Sequence, residues 1–117
     1  MKTKIFKYLS TTLIVLTFVS INLKANSISD EKTVEITLPS IQCGMCVKTI
    51  KKALGKVEGV IESKVDLKNK KVTVLFDDSI TSLDKIEVAI TSAGYDANDK
   101  PANADAYENL SSCCKKP

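Results

Sequence analysis

Four cysteines in two close pairs are the residues of this sequence whose type and spacing could do chemistry. Cys43 and Cys46 are separated by two residues, and Cys113 and Cys114 are adjacent near the end of the 117-residue chain. The sequence has no histidine, which excludes Ser-His-Asp and Cys-His catalysis and removes the commonest metal ligand. A metal site in this chain must therefore use thiolates, carboxylates or thioethers.

The Cys43–Cys46 pair could bind a soft metal ion, exchange disulfides or form a structural disulfide in a partner-binding domain. Two thiolates without histidine favour Cu(I) or Hg(II). Zn(II) and Cd(II) rank behind them, because zinc usually takes four ligands and no acidic residue adjoins either cysteine. The alternative is an exported thiol–disulfide oxidoreductase that uses the same two thiols. Such an enzyme needs a proline facing its active site, and Pro101 follows the last predicted strand, so we predict a metal-binding protein rather than an enzyme.

The role of Cys113 and Cys114 is open at the level of the sequence. The segment could fold back and add thiolates, which would make a site of three or four sulfurs and bring zinc or a Cu(I) cluster back into consideration. It could pass metal between two sites. It could also form a disulfide after export.

The first 25 residues have the pattern of a signal peptide. Lys2, Lys4 and Lys7 precede an apolar stretch over residues 8–21, and Ala25 supplies the small residue of a cleavage site. An uncleaved anchor is the alternative, but the stretch is shorter than the roughly 20 residues of a membrane span. Loss of four lysines with this segment leaves 13 lysines against 14 acidic residues. The pattern predicts an exported, periplasmic protein that does not bind nucleic acid through bulk charge.

Hydropathy periodicity predicts the elements that position the cysteines. A flexible lead-in is predicted over residues 26–32. The next predicted elements are a strand over 33–38, a helix over 44–56 and a hairpin of two strands over 60–67 and 71–76. A second helix, capped by Thr81 or Ser82 and closed by Gly94, and a short strand over 95–98 follow. Cys46 then lies in the first turn of a helix, where free N–H groups lower cysteine pKa values.

The order strand, helix, strand, strand, helix, strand is the ferredoxin-like βαββαβ pattern. It predicts an α+β sandwich in which two amphipathic helices cover one face of an antiparallel sheet. Beyond it lies a polar tail over residues 99–117. Within that tail, one or two helical turns are predicted over 102–110, and a mobile end carrying the Cys-Cys pair over 111–117.

Residues 33–98 resemble the heavy-metal-associated domain family, which includes copper chaperones, domains of P-type ATPases and a periplasmic mercury-binding protein. The family loop Met-x-Cys-x-x-Cys corresponds here to Ile41-Gln42-Cys43-Gly44-Met45-Cys46. Further similar stretches are Val57-Glu58-Gly59-Val60 and Ala93-Gly94-Tyr95. Ile41 stands where the family has a methionine that packs under the loop.

The resemblance implies that Cys43 and Cys46 are the metal ligands and that Tyr95 lies beside the metal loop. It also implies a metallochaperone, expected to be a monomer, that carries copper or mercury to a membrane metal transporter or P-type ATPase. An aromatic residue at the position of Tyr95 resembles the ATPase and mercury-protein branches of the family.

Overall fold

The computed structural model describes residues 30–117, so the predicted signal segment and most of the lead-in lie outside the described residues. Its elements are β1 (Glu31–Thr37), α1 (Gly44–Gly55), β2 (Val60–Asp66), β3 (Lys71–Asp77), α2 (Leu83–Ser92), α3 (Ala104–Glu108) and a 3-10 turn (Ser112–Cys114). Within residues 30–117, no helix has the length and apolar character needed to cross a membrane.

The three strands form one antiparallel sheet in the order β1-β3-β2. β3 is central and alternates strictly, with Val72, Val74 and Phe76 buried on one face, as expected for a sheet with one covered face. The hairpin between β2 and β3 turns at Lys70, which has a positive φ of 50°. The predicted hairpin is confirmed.

Both long helices bury one stripe of apolar side chains against the covered face of the sheet. α1 contributes Ile50 and Leu54, and α2 contributes Ile86 and Ile90, all with no exposed surface. Ser82 is the residue that caps α2, because its hydroxyl accepts from the Lys85 N–H. These helices on the antiparallel sheet confirm the predicted ferredoxin-like α+β sandwich.

The predicted last strand over residues 95–98 is wrong, because the chain there makes only one bridge, between Ala97 and Lys100. Asn98 has a positive φ of 50° and turns the chain away from the sheet. Its backbone N–H donates to the Thr37 carbonyl, and its side-chain oxygen accepts from the Thr37 N–H at 2.9 Å. The Asn98 side chain thus makes a hydrogen bond at the end of β1 that the backbone of a further strand would otherwise make.

The segment after Asn98 packs onto the domain. The helical turns predicted over 102–110 are confirmed as α3, which Asn103 caps through its side-chain oxygen. α3 lies against Gly94, where a Cβ atom would come within 2.9 Å of the Ala106 carbonyl oxygen. The predicted mobile end is wrong, since the 3-10 turn places Cys114 in the core with 3% of its surface exposed.

Candidate metal-binding site

The site begins in the loop between β1 and α1. Ile41 is fully buried under this loop, in the packing position that the resemblance implied. Cys43 is the N-cap residue of α1, in an extended conformation, and its side chain makes no capping hydrogen bond. The Ser40 hydroxyl accepts from the Asp96 N–H at 2.9 Å, which fixes the loop to the segment that follows α2.

Cys46 lies in the first turn of α1, directly above the apolar stripe formed by Ile50 and Leu54. The spacing of three residues brings its side chain to the same end of the helix as the N-cap, because side chains three apart are neighbours on a helix. The two sulfur atoms, Cys43 Sγ and Cys46 Sγ, are 3.6 Å apart. The predicted pair is therefore assembled at the helix start.

Cys113 and Cys114 reach the same place from the other end of the chain. Cys43 Sγ lies 3.5 Å from Cys113 Sγ and 3.8 Å from Cys114 Sγ, and the two adjacent cysteines have their sulfurs 3.9 Å apart. Met45 Sδ is 3.7 Å from Cys113 Sγ. The structure thus brings both sequence pairs together, with Cys43 in contact with each of the other three thiols.

The four thiols differ in exposure. Cys46 is fully buried and Cys114 nearly so, whereas Cys43 is half-buried and Cys113 is exposed. The Cys43 thiol is thus reachable from solvent, while its partner in the loop is covered by the protein.

The same thiols differ in acidity. The backbone N–H of Cys46, followed by the Cys113 thiol, lowers the pKa of Cys43 to about 7. Burial and the neighbouring Cys46 raise the pKa of Cys114 to about 12. Contact with Cys43 and burial raise the pKa of Cys113. Cys43 is therefore the first of these three thiols to become a thiolate, as a helix start favours.

Tyr95 lies beneath the thiols, where the resemblance implied it would be. Its side chain is fully buried, and among the described residues its hydroxyl has no hydrogen-bond partner. Burial, with the nearby Cys114 and Cys46 side chains, raises the pKa of Tyr95 far above its ordinary value. Tyr95 therefore stays neutral beside the thiols.

The part of the site that the sequence left open is the tail. Adjacent cysteines at the end of a polar segment carry no periodicity that would place them against a loop 70 residues earlier. The helical pattern of α3 was visible, but its packing against Gly94 was not, and this packing directs the chain back to the loop. Three ligand-type sulfurs, those of Cys43, Cys113 and Cys114, lie within 4.8 Å of one another.

The order in which thiols react should follow this acidity. We expect limited alkylation of the reduced, metal-free protein at pH 7 to modify Cys43 before Cys113 and Cys114. The rate at Cys43 should rise as the pH passes through about 7 and then level off, since the reactive thiolate is half formed at that pKa and is lost as the pH falls through it. The rate at Cys113 should still be rising at pH 9. Peptide mass spectrometry measures each rate, and preferential labelling of exposed Cys113 would contradict this expectation.

Comparison with known proteins places this arrangement in a family. A model of the heavy-metal-associated domain matches residues 31–96, which include the Cys43–Cys46 loop and Tyr95. The chain therefore belongs to the heavy-metal-associated domain family.

Relatives within this family include metal transport and chaperone proteins. The mercuric transport protein periplasmic component of Serratia marcescens is 39% identical over 69 residues, which are 59% of this chain and 76% of that protein. The structure of oxidized MerP from Ralstonia metallidurans is 38% identical with a TM-score of 0.57, and the match covers 58% of this chain and 94% of that one. The CopZ metallochaperone is 30% identical with a TM-score of 0.55, covering 56% and 98%.

Proposed function

We propose that this protein is a periplasmic carrier that binds a soft metal ion, Hg(II) or Cu(I), between Cys43 and Cys46 and passes it to a membrane metal transporter. The observation that carries the proposal is the pair of thiols 3.6 Å apart at the start of α1. Similarity to periplasmic components of mercuric transport and to a metallochaperone supports the same cargo class. Sulfur ligands without nitrogen select these ions.

The local electrostatics support capture near neutral pH. Because the pKa of Cys43 is lowered to about 7, a large fraction of this thiol is already a thiolate when a metal ion arrives. The ion then also binds the sulfur of Cys46, which is fully buried. Metal binding releases protons, so affinity should fall as the solution is made more acidic.

The difference in exposure supports release by ligand exchange. Cys43 is half-buried and faces solvent, whereas Cys46 is covered. A first thiolate of a transporter would approach the ion from the side of Cys43 and form a three-coordinate intermediate that loses one carrier thiolate. A second transporter thiolate would then displace the other carrier thiolate in the same way. The ion is never free in this sequence of steps. Export through residues 1–25 remains a prediction, since that segment lies outside the described residues.

An anaerobic titration tests the proposed cargo. Protein purified after expression of the full chain would be reduced and titrated with Hg(II), Cu(I) and Zn(II) against competing chelators. We expect one ion of Hg(II) or Cu(I) per chain to be held far more tightly than by a free thiol pair. Weak or non-stoichiometric binding of both ions would overturn the proposal, and reduction of insulin by the metal-free protein would favour the oxidoreductase instead.

A further inference from the structure

The thiols of Cys113 and Cys114 lie beside the Cys43–Cys46 loop and add further sulfur atoms to its two. Cys43, Cys113 and Cys114 offer sulfur atoms that all lie within 4.8 Å of one another, and Cys46 Sγ is 3.6 Å from Cys43 Sγ. Cys113 and Cys114 lie outside the residues that match the family domain. These two thiols are therefore an addition that this chain makes to the loop.

The distance between two sulfurs bound to one metal ion depends on the geometry in which the ion is coordinated. With metal–sulfur bonds of about 2.3 Å, sulfurs of a tetrahedral site are ~3.8 Å apart, those of a trigonal site ~4.0 Å and those of a linear site ~4.6 Å. Four of the six sulfur–sulfur separations lie between 3.5 and 3.9 Å. The sulfurs that all lie within 4.8 Å of one another are those of Cys43, Cys113 and Cys114, and Cys46 joins this group through its contact with Cys43. Three sulfurs are thus already spaced as the edges of a trigonal or tetrahedral site, with Cys46 as a neighbouring fourth ligand.

Packing of the tail shows that the two thiols are held in place by the fold. Leu110 packs against the hydrophobic core, and Cys114 is part of that core. Lys116 pairs with Asp96 at 2.9 Å, and its backbone N–H donates to the Tyr107 hydroxyl. Contacts on both sides of Cys113–Cys114 therefore hold this segment against the domain.

We propose that Cys113 and Cys114 complete a four-thiolate site with Cys43 and Cys46, in which the carboxy-terminal segment closes over the bound ion. This inference rests on the proposed function, because it uses the same two loop ligands. Four cysteines and a divalent ion give a tetrathiolate complex, with release of the protons of those thiols that are not already ionised and no change in oxidation state. Such a shell suits Cd(II) and Zn(II), which two thiolates alone hold poorly.

Closure of the carboxy-terminal segment over the ion also affects how a transporter thiolate reaches that ion. In the closed form, the tail supplies the additional thiolates that a transporter would otherwise bring to the ion. Cys113 is exposed, while Cys114 is buried beside Cys46. An incoming thiolate therefore meets Cys113 first, and exchange at this residue opens the site.

Removal of the tail thiols tests the inference with Cd(II) and Hg(II) as probes. Protein expressed as the full chain would be compared with its Cys113→Ser/Cys114→Ser variant by X-ray absorption, which counts sulfur neighbours, and by chelator competition. We expect four sulfurs around Cd(II) in the unaltered protein and two in the variant, with Cd(II) affinity lowered at least ~100-fold. Hg(II) affinity should change much less, because two thiolates satisfy this ion.

Two further variants serve as controls. Cys113→Ser alone changes an exposed side chain and should leave three sulfurs around Cd(II). Ser111→Ala/Ser112→Ala alters the same segment without removing a thiol and should retain four. Cd(II) bound by two sulfurs in the unaltered protein, with affinity unchanged by loss of the tail cysteines, would overturn this inference while Hg(II) binding still supported the carrier. Failure of the unaltered protein to bind either ion would overturn both.

Discussion

Replacement of both loop cysteines, Cys43→Ser/Cys46→Ser, should lower Hg(II) and Cu(I) affinity by at least ~10³-fold. Structural metal sites with four ligands bind with about 10–16 kcal/mol, so each thiolate contributes about 2.5–4 kcal/mol. Loss of two thiolates then costs about 5–8 kcal/mol, where each 1.4 kcal/mol is a factor of ten. The two remaining thiols belong to the tail, with sulfurs 3.9 Å apart. Chelator competition under anaerobic conditions measures the change.

The fold should survive this replacement. Cys43 is an N-cap residue whose side chain makes no capping hydrogen bond, and serine at an N-cap stabilises a helix by about 0.5–2 kcal/mol. Serine at buried position 46 costs about 1–3 kcal/mol through its hydroxyl. The two effects offset each other in the metal-free protein. Circular dichroism should therefore be unchanged, and a variant that retains its shape and still binds one ion tightly would refute the loop site.

The single variant Cys43→Ser separates binding from stability. The free energy of unfolding of the reduced, metal-free protein should rise slightly, because a serine hydroxyl can accept a free N–H at the start of α1. Metal affinity should fall at the same time, because Cys43 Sγ contacts the sulfurs of Cys46, Cys113 and Cys114. Opposite signs of the two changes would show that Cys43 is present for chemistry and not for packing.

Phe76→Ala should have the largest effect on folding. Phe76 is 1% exposed on the central strand β3, and removal of a buried phenylalanine side chain costs about 3–5 kcal/mol. For a domain of this size, each kcal/mol shifts Tm by about 4–8 °C, so the Tm should fall by roughly 12 °C or more. Thermal unfolding of the reduced, metal-free protein, followed by circular dichroism, measures this shift.

The position of Phe76 also predicts that its replacement should leave metal binding unchanged. Phe76 pairs with Lys32 at the start of β1, whereas the cysteine loop follows the other end of that strand. Stoichiometric metal binding well below the Tm should therefore be retained. Val88→Ala is the matched control, since Val88 is 49% exposed on α2 and its loss should change stability by less than about 0.5 kcal/mol. Equal shifts in both variants would mean that Phe76 is not a core residue.

The sequence by itself determined the elements that depend on local periodicity. The alternation of Val72, Val74 and Phe76 specifies one buried face of β3, and the apolar steps at Ile50 and Leu54 specify the stripe of α1. A cap for α2 at Thr81 or Ser82, of which the structure uses Ser82, and the placement of Cys43 and Cys46 at a helix start also follow from local rules. Such features were readable because each is set by residues a few positions apart.

Tertiary structure alone decided how the segment after Gly94 packs on the domain. The alternation over residues 95–98 suggested a strand, but the Asn98 side chain bonds to Thr37 and the chain turns away. The missing Cβ of Gly94 admits α3, and the Lys116–Asp96 ion pair fixes the end of the chain. These contacts join residues that are distant in sequence, so no local pattern encodes them. They are the reason why Cys113 and Cys114 lie beside the loop that the sequence had already identified.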